Sequence, residues 1–195
     1  MRCERVMRRA LARQERGAPD CARWAAFIAF GMPKPNRSPY ARLRDMWLRL
    51  SPLPGGKWMF SRLVGWTAPY TRTIGALVVE LRAGYARVEM RDRRSVRNHL
   101  RSVHAIALMN LGELTTGLAG TFGLPDDSRG IPVRLQIEFL KKARGRLTAE
   151  CTTAPVDASA EREYDFVAVI RNAAGEDVAR CTARWRIGPM APAAK

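Results

Sequence analysis

Residues Arg97 to Phe122 read RNHLRSVHAIALMNLGELTTGLAGTF, and the rest of the chain is arranged around this stretch. From Val103 to Phe122 it holds one charged residue, Glu113, in a chain that is 27% charged. Val103, Ile106, Ala107, Leu111, Leu114 and Leu118 follow the i, i+3, i+4, i+7 template of an α-helix. With so little polar surface, that helix must be enclosed on most sides. Gly112, Gly117 and Gly120 weaken a helix, so a neighbour is expected to pack closely against its backbone there. A lone carboxylate in such a place is costly unless it is paired or has chemical work. Asn98 and His104, near the helix start, complete a candidate constellation.

On either side of the helix the hydrophobic period changes to that of strands. IGALVVELRAGYARVEMRD, from Ile74 to Asp92, divides at Ala83-Gly84 into two alternating runs and predicts a hairpin. After Leu124-Pro125-Asp126-Asp127, IPVRLQIEFLKKA alternates with Val133, Leu135, Ile137 and Phe139 facing one way. GRLTAECTTA gives a further strand, and EYDFVAVIRN with EDVARCTARWRI a second hairpin around Ala173-Ala174-Gly175. The predicted order is β-β-α-β-β-β-β: an α+β domain in which one long helix lies against an antiparallel sheet of about six strands.

Upstream, residues 41–70 read as broken helices. RLRDMWLRL puts Leu43, Met46, Trp47 and Leu50 on one face, and KWMFSRLVGW follows a Pro52, Pro54, Gly55, Gly56 turn. Trp47, Trp58, Phe60 and Trp66 are expected to pack in the core or to line the mouth of an apolar pocket. Residues 1–40 read as a basic, poorly ordered arm with a linker rich in proline, or as a helix lying on a membrane surface. The domain is then expected to span 41–189, with a tail at 190–195.

The net charge of +16 is concentrated in residues 1–100, which carry 21 Lys and Arg against 7 Asp and Glu. That imbalance points to an anionic partner. Nucleic acid is disfavoured, because aromatic residues are not interleaved with the basic ones and no helix-turn-helix or RNA motif is present. The four cysteines form no C-x-x-C pair and no cluster with histidine, which argues against a zinc site and predicts no need for disulfides. A reduced, cytoplasmic setting follows as the expectation, and the apolar run Ala25–Met32 is too short to span a bilayer.

VRNHLRSVHAIALMNLGEL, with Asn98, His104 six residues later and Glu113 nine beyond that, resembles the PaaI-like branch of the hotdog thioesterases. It also resembles a little-characterised bacterial branch of that superfamily, domain of unknown function 4442. The resemblance covers roughly Ala41 to Pro189 and implies the hotdog fold, a long helix wrapped by a curved antiparallel sheet. It further implies thioester hydrolysis on acyl-CoA, with coenzyme A entering as part of the substrate and no other cofactor. One departure stands out. Where that branch has two glycines after the histidine, this chain has Ala105 and Ile106, whose side chains narrow the expected thioester channel.

Thioester hydrolysis needs donors for a developing oxyanion and a base or nucleophile beside the carbonyl carbon. The helix N-terminus at His104-Ala105 offers free N–H groups and the positive end of the dipole. Asn98 supplies an amide donor, His104 orients the loop or the donor, and Glu113 activates water or attacks directly. Ala105 and Glu113 are eight residues apart, about 12 Å along a helix at ~1.5 Å per residue, too far to meet on one carbonyl. Two chains with facing antiparallel helices solve this, so a homodimer with composite sites is expected, with pairing into tetramers left open. Lys141, Lys142, Arg144 and Arg146 form one candidate clamp for the coenzyme phosphates, and the cluster around Arg97 a second. Two other readings share the fold. The spacing of His99 and Glu113 is similar to that of hotdog dehydratases, although the proline-rich stretch between those residues is missing here. A domain that binds acyl-CoA without turnover is the other.

Overall fold

The computed structural model describes residues 37–190, so the arm expected at the N-terminus lies outside the described residues up to residue 36. Three helices, α1 (Pro39–Leu50), α2 (Gly56–Thr67) and the single turn α3 (Pro69–Arg72), precede the sheet. Strands β1 (Leu77–Arg82) and β2 (Tyr85–Arg91) lead into α4 (Ala105–Thr121), and β3 (Ser128–Phe139), β4 (Arg146–Thr152), β5 (Arg162–Arg171) and β6 (Asp177–Pro189) follow. All neighbouring strands are antiparallel, in the order β1-β2-β4-β5-β6-β3. The sheet curls around α4, which is the hotdog arrangement expected from the sequence. Among the described residues no helix is long and apolar enough to cross a membrane.

Burial of α4 accounts for its composition. Leu111 and Leu118 are buried against the sheet, each contributing about 1.5–3 kcal/mol. The three glycines let the sheet's side chains touch the helix backbone. A Cβ on Gly112 would be driven into Cys181, one on Gly117 into the Trp185 ring and one on Gly120 into the Phe166 ring. The buried hydroxyls of Thr115 and Thr121 donate back to Leu111 O (2.7 Å) and Gly117 O (2.6 Å), so neither is stranded. The first hairpin turns at Gly84 (φ +72°) and the second at Gly175 (φ +81°), both left-handed positions that suit glycine. Asn172 Oδ1 braces the second turn by accepting from the N–H groups of Ala174 and Glu176.

Two expectations need adjusting. α1 begins before the residues assigned to helix. Ser38 caps it, its Oγ accepting from Ala41 N, and Pro39 takes the first helical position, where its missing N–H is harmless. The prolines that read as linker thus include a helix start. The α1 end of the chain is tied down by Tyr40, whose hydroxyl donates to Gly130 O, and by Asp126, which pairs with both Arg37 and Arg44. The second adjustment concerns β3. The apolar residues expected to face one way are largely uncovered: Val133 and Phe139 are exposed and Leu135 and Ile137 only half-buried. β3 is an edge strand, and a bulge between Pro132 and Arg134 shifts its register against β6. Of the aromatic residues before the sheet, Trp47 and Phe60 pack edge-to-face in the core at 5.0 Å, while Trp58 and Trp66 face outward.

Gly112→Ala weighs two opposed effects. Helix propensity gains about 1 kcal/mol, but overpacking against Cys181 costs roughly 1–3 kcal/mol. Overpacking should win, so the urea midpoint should fall; a rise would mean that the helix does not sit this close to β6.

Candidate active site

The loop before α4 is built by Asn98. Its Oδ1 accepts from Leu100 N (3.0 Å), Ser102 N (3.2 Å) and Ser102 Oγ (3.2 Å), while its own N–H donates to Ser102 O at 2.8 Å. Arg101 adopts a left-handed φ of 56° to close the turn. With the carbonyl oxygen committed, the Nδ2 protons of Asn98 have no acceptor among the described residues.

His104 then caps the helix. Its N–H donates to Val96 O at 2.8 Å, and its Nδ1 accepts from Ile106 N–H at 3.1 Å. An accepting Nδ1 fixes the imidazole as the tautomer protonated on Nε2. The histidine therefore takes up the N–H of Ile106 and leaves the N–H of Ala105 without an acceptor among the described residues. Asn98 and Ala105 border a shallow hollow of about 360 Å³ whose opposite wall is Phe139, Leu140, Lys141 and Lys142. Phe139 and Leu140, which the sequence reading did not single out as site residues, are half exposed and give this wall an apolar character.

Glu113 sits two turns further along α4, outside that hollow. Its carboxylate is half-buried and has neither an ion pair nor a side-chain hydrogen bond among the described residues, and burial pushes its pKa up. It shares a helix face with Ile106, half exposed, and with Met109. The nearby Cys181 thiol is pushed up to about 11, first by burial and then by the charge of Glu113, which leaves it a poor nucleophile at neutral pH. One residue on this face was passed over. Asn110 is 3% exposed, and its side-chain amide oxygen and nitrogen both lack a partner among the described residues. An asparagine inside so apolar a helix is itself a signal, since an unpartnered buried amide is costly.

The basic residues are distributed differently from a single clamp. Lys141 and Lys142 line the hollow, and Lys141 also pairs with Glu176 at 2.7 Å. Arg144 donates to Arg101 O at 3.3 Å, and Arg146 lies 3.7 Å from Glu89 near a separate cavity. Arg97 is held by Asp92 through contacts of 2.6 and 3.2 Å. His99 is exposed on the loop.

The family is the one described as "Domain of unknown function (DUF4442)", whose profile matches residues 56–187; the chain belongs to it. Among solved structures, a protein known as genomics target APC5556 is 31% identical, with a TM-score of 0.66 over 79% of this chain and 100% of its own. A Pseudomonas aeruginosa protein described as a probable thioesterase is 23% identical, with a TM-score of 0.58 over 69% of this chain and 95% of its own. A thioesterase family protein from Silicibacter pomeroyi is 18% identical, with a TM-score of 0.58 over 66% of this chain and 96% of its own. Comparison with curated proteins finds no match. These likenesses place the chain in the hotdog fold that it shares with structures described as thioesterases.

Asp92 gives this corner a pH dependence. The Arg97 guanidinium, and behind it the Gly145 N–H, hold its carboxyl below the ordinary value of 3.8. A depressed pKa contributes stability above the unfolded value and loses it as pH falls through the folded one. Asp92→Asn should therefore lower the thermal midpoint at pH 7, and its difference from wild type should shrink as pH drops below 3.8. A difference independent of pH would show that Asp92 acts by shape rather than charge.

Proposed function

We propose that the protein is an acyl-CoA thioesterase whose active sites form between two copies of the chain. The observation that carries this reading is Glu113, a half-buried carboxylate without a partner among the described residues, on a partly covered helix face and eight residues from the Ala105 N–H, which also has no acceptor among them. In one chain the two groups are too far apart; between antiparallel helices they meet. The uncovered apolar residues of β3 support such a pairing, since a long edge strand with exposed Val133 and Phe139 and half-buried Leu135 and Ile137 is a ready surface for a second strand.

In this reading the thioester oxygen accepts from Ala105 N–H and from the spare Asn98 Nδ2–H. His104 contributes by fixing the helix start. The Glu113 carboxylate of the partner copy takes a proton from water as the water oxygen attacks the carbonyl carbon. Collapse of the tetrahedral intermediate breaks the C–S bond, and the thiolate of coenzyme A leaves. Lys141 and Lys142 on the wall of the hollow suit its phosphates. A second reading, binding without turnover, draws on Ile106, whose half-exposed side chain stands beside the Ala105 N–H.

Thiol release from a panel of acyl-CoAs separates the two readings. Glu113→Gln should lower kcat by about 10²–10⁴ while the dimer persists. The wild-type rate should rise with pH through an inflection above the ordinary value of 4.5, because burial raises the carboxyl's pKa. The same substitution should raise thermal stability at neutral pH, where an ionised half-buried carboxylate disfavours the fold. No release from any thioester, with binding intact, would leave the non-catalytic reading. Separately, Val133→Lys on the exposed edge should give a monomer by light scattering that has lost turnover; an active monomer would refute the composite site.

A further inference from the structure

A second cavity, of about 480 Å³, lies between α2, α3 and the first two strands; Arg146, expected from the sequence in a coenzyme clamp, borders it, but the proposed mechanism uses none of its residues. Val64, Leu77, Val78 and Leu114 give it an apolar side. Among the described residues, five arginines, at 62, 72, 91, 93 and 146, also line it, against the single carboxylate of Glu89. That carboxylate is already shared, lying 3.7 Å from both Arg87 and Arg146. The guanidinium groups of Arg72 and Arg91 have no hydrogen-bond or ion-pair partner among the described residues.

The backbone makes room for these cations. A Cβ on Gly75 would collide with the Arg93 guanidinium, which donates to Thr73 O at 2.9 Å. A Cβ on Gly65 would crowd the stem of Arg72 at 3.1 Å. Trp58, 64% exposed, lies at the same cavity with the Arg62 guanidinium 5.7 Å from its ring centroid. So many like charges beside apolar side chains favour an anion that neutralises several of them. A phosphate suits that excess better than one carboxylate, and guanidinium forks match its oxygens. Bare phosphate would leave the apolar side and Trp58 unused; a neutral lipid would leave the arginines unused.

We infer that this cavity binds an organic phosphate carrying an apolar or aromatic body. The phosphate lies among the arginines, and the body rests on Val64, Leu77, Val78 and Leu114 with Trp58 beside it. Leu114 follows Glu113 directly in α4, so the occupant touches the helix that carries the proposed base. The inference does not depend on turnover, because neither Glu113 nor Ala105 lines the cavity.

The test is calorimetry and tryptophan emission on the full chain, with octyl phosphate, octanol and inorganic phosphate as probes. Octyl phosphate should bind one per chain, at least tenfold tighter than the other two. Arg72→Gln/Arg91→Gln should weaken it at least tenfold, and Trp58→Phe should remove most of the emission change. Arg129→Gln/Arg162→Gln, equal in charge but outside the cavity, should bind like wild type, as should Glu113→Gln. Circular dichroism checks that each variant is folded; should the first double variant unfold, Arg91→Gln alone takes its place. Cosedimentation with phosphatidylglycerol vesicles that is lost in the cavity variant would identify a lipid headgroup as the source of the phosphate. Octyl phosphate binding without vesicle capture would identify a soluble phosphate. Equal affinity for octanol and octyl phosphate, or full binding by the folded cavity variant, would overturn the inference.

Discussion

The contact between the backbone of α4 and the side chains of β5 and β6 is the constraint on which the structure depends. Three glycines in one helix weaken it by about 1 kcal/mol each relative to alanine. They are retained where Cys181, Trp185 and Phe166 press against the helix. That close approach lets one sheet curl around one helix and seal Leu111 and Leu118. It also settles what remains outside. With the sheet on one side, Ile106, Met109 and Glu113 are left on a face that this chain covers only in part. Structure and proposed chemistry therefore have a common origin: the glycines that bring the helix onto the sheet also decide where the carboxylate stands.

The start of the helix is organised with similar economy. Its first free N–H groups need acceptors, and His104 supplies one while leaving another open. Asn98 spends its oxygen on the loop and keeps its amide protons. A tight turn and a cap thus bring Asn98 and Ala105, each with amide protons that have no acceptor among the described residues, to the border of one hollow. In the proposed reaction these are the groups that would stabilise a developing oxyanion.

Much of this was legible in the sequence, and the remainder was hidden for physical reasons. The hairpin turns were readable because Gly84 and Gly175 must adopt a left-handed φ. The helix was readable because its period and near absence of charge leave no other state. Spacing alone could not show that Arg97 is taken up by Asp92, since that depends on a bend through Arg94–Val96. The exposure of β3 was hidden because alternation gives which residues share a face, not what covers it. Ser38-Pro39 was read as linker because two prolines shortly before it resembled the same thing. Asn110 escaped notice because an uncharged side chain inside an apolar run reads as a minor interruption, and only burial without a partner makes it conspicuous.

In the proposed reaction each active site takes Glu113 from one chain and the Ala105 N–H from the other, a division that mixed dimers expose. Ala105→Pro removes that N–H at the first helical position, where proline is tolerated. His104, at φ −66° and ψ 143°, already has the extended backbone that a following proline requires. Ala105→Pro and Glu113→Gln homodimers should each be inactive. Unfolded together and refolded as an equal mixture, they should recover about a quarter of wild-type turnover, because half the dimers are mixed and each of those holds one intact site. Mixed dimers that form and remain inactive would contradict the composite site and place the chemistry within a single chain or elsewhere.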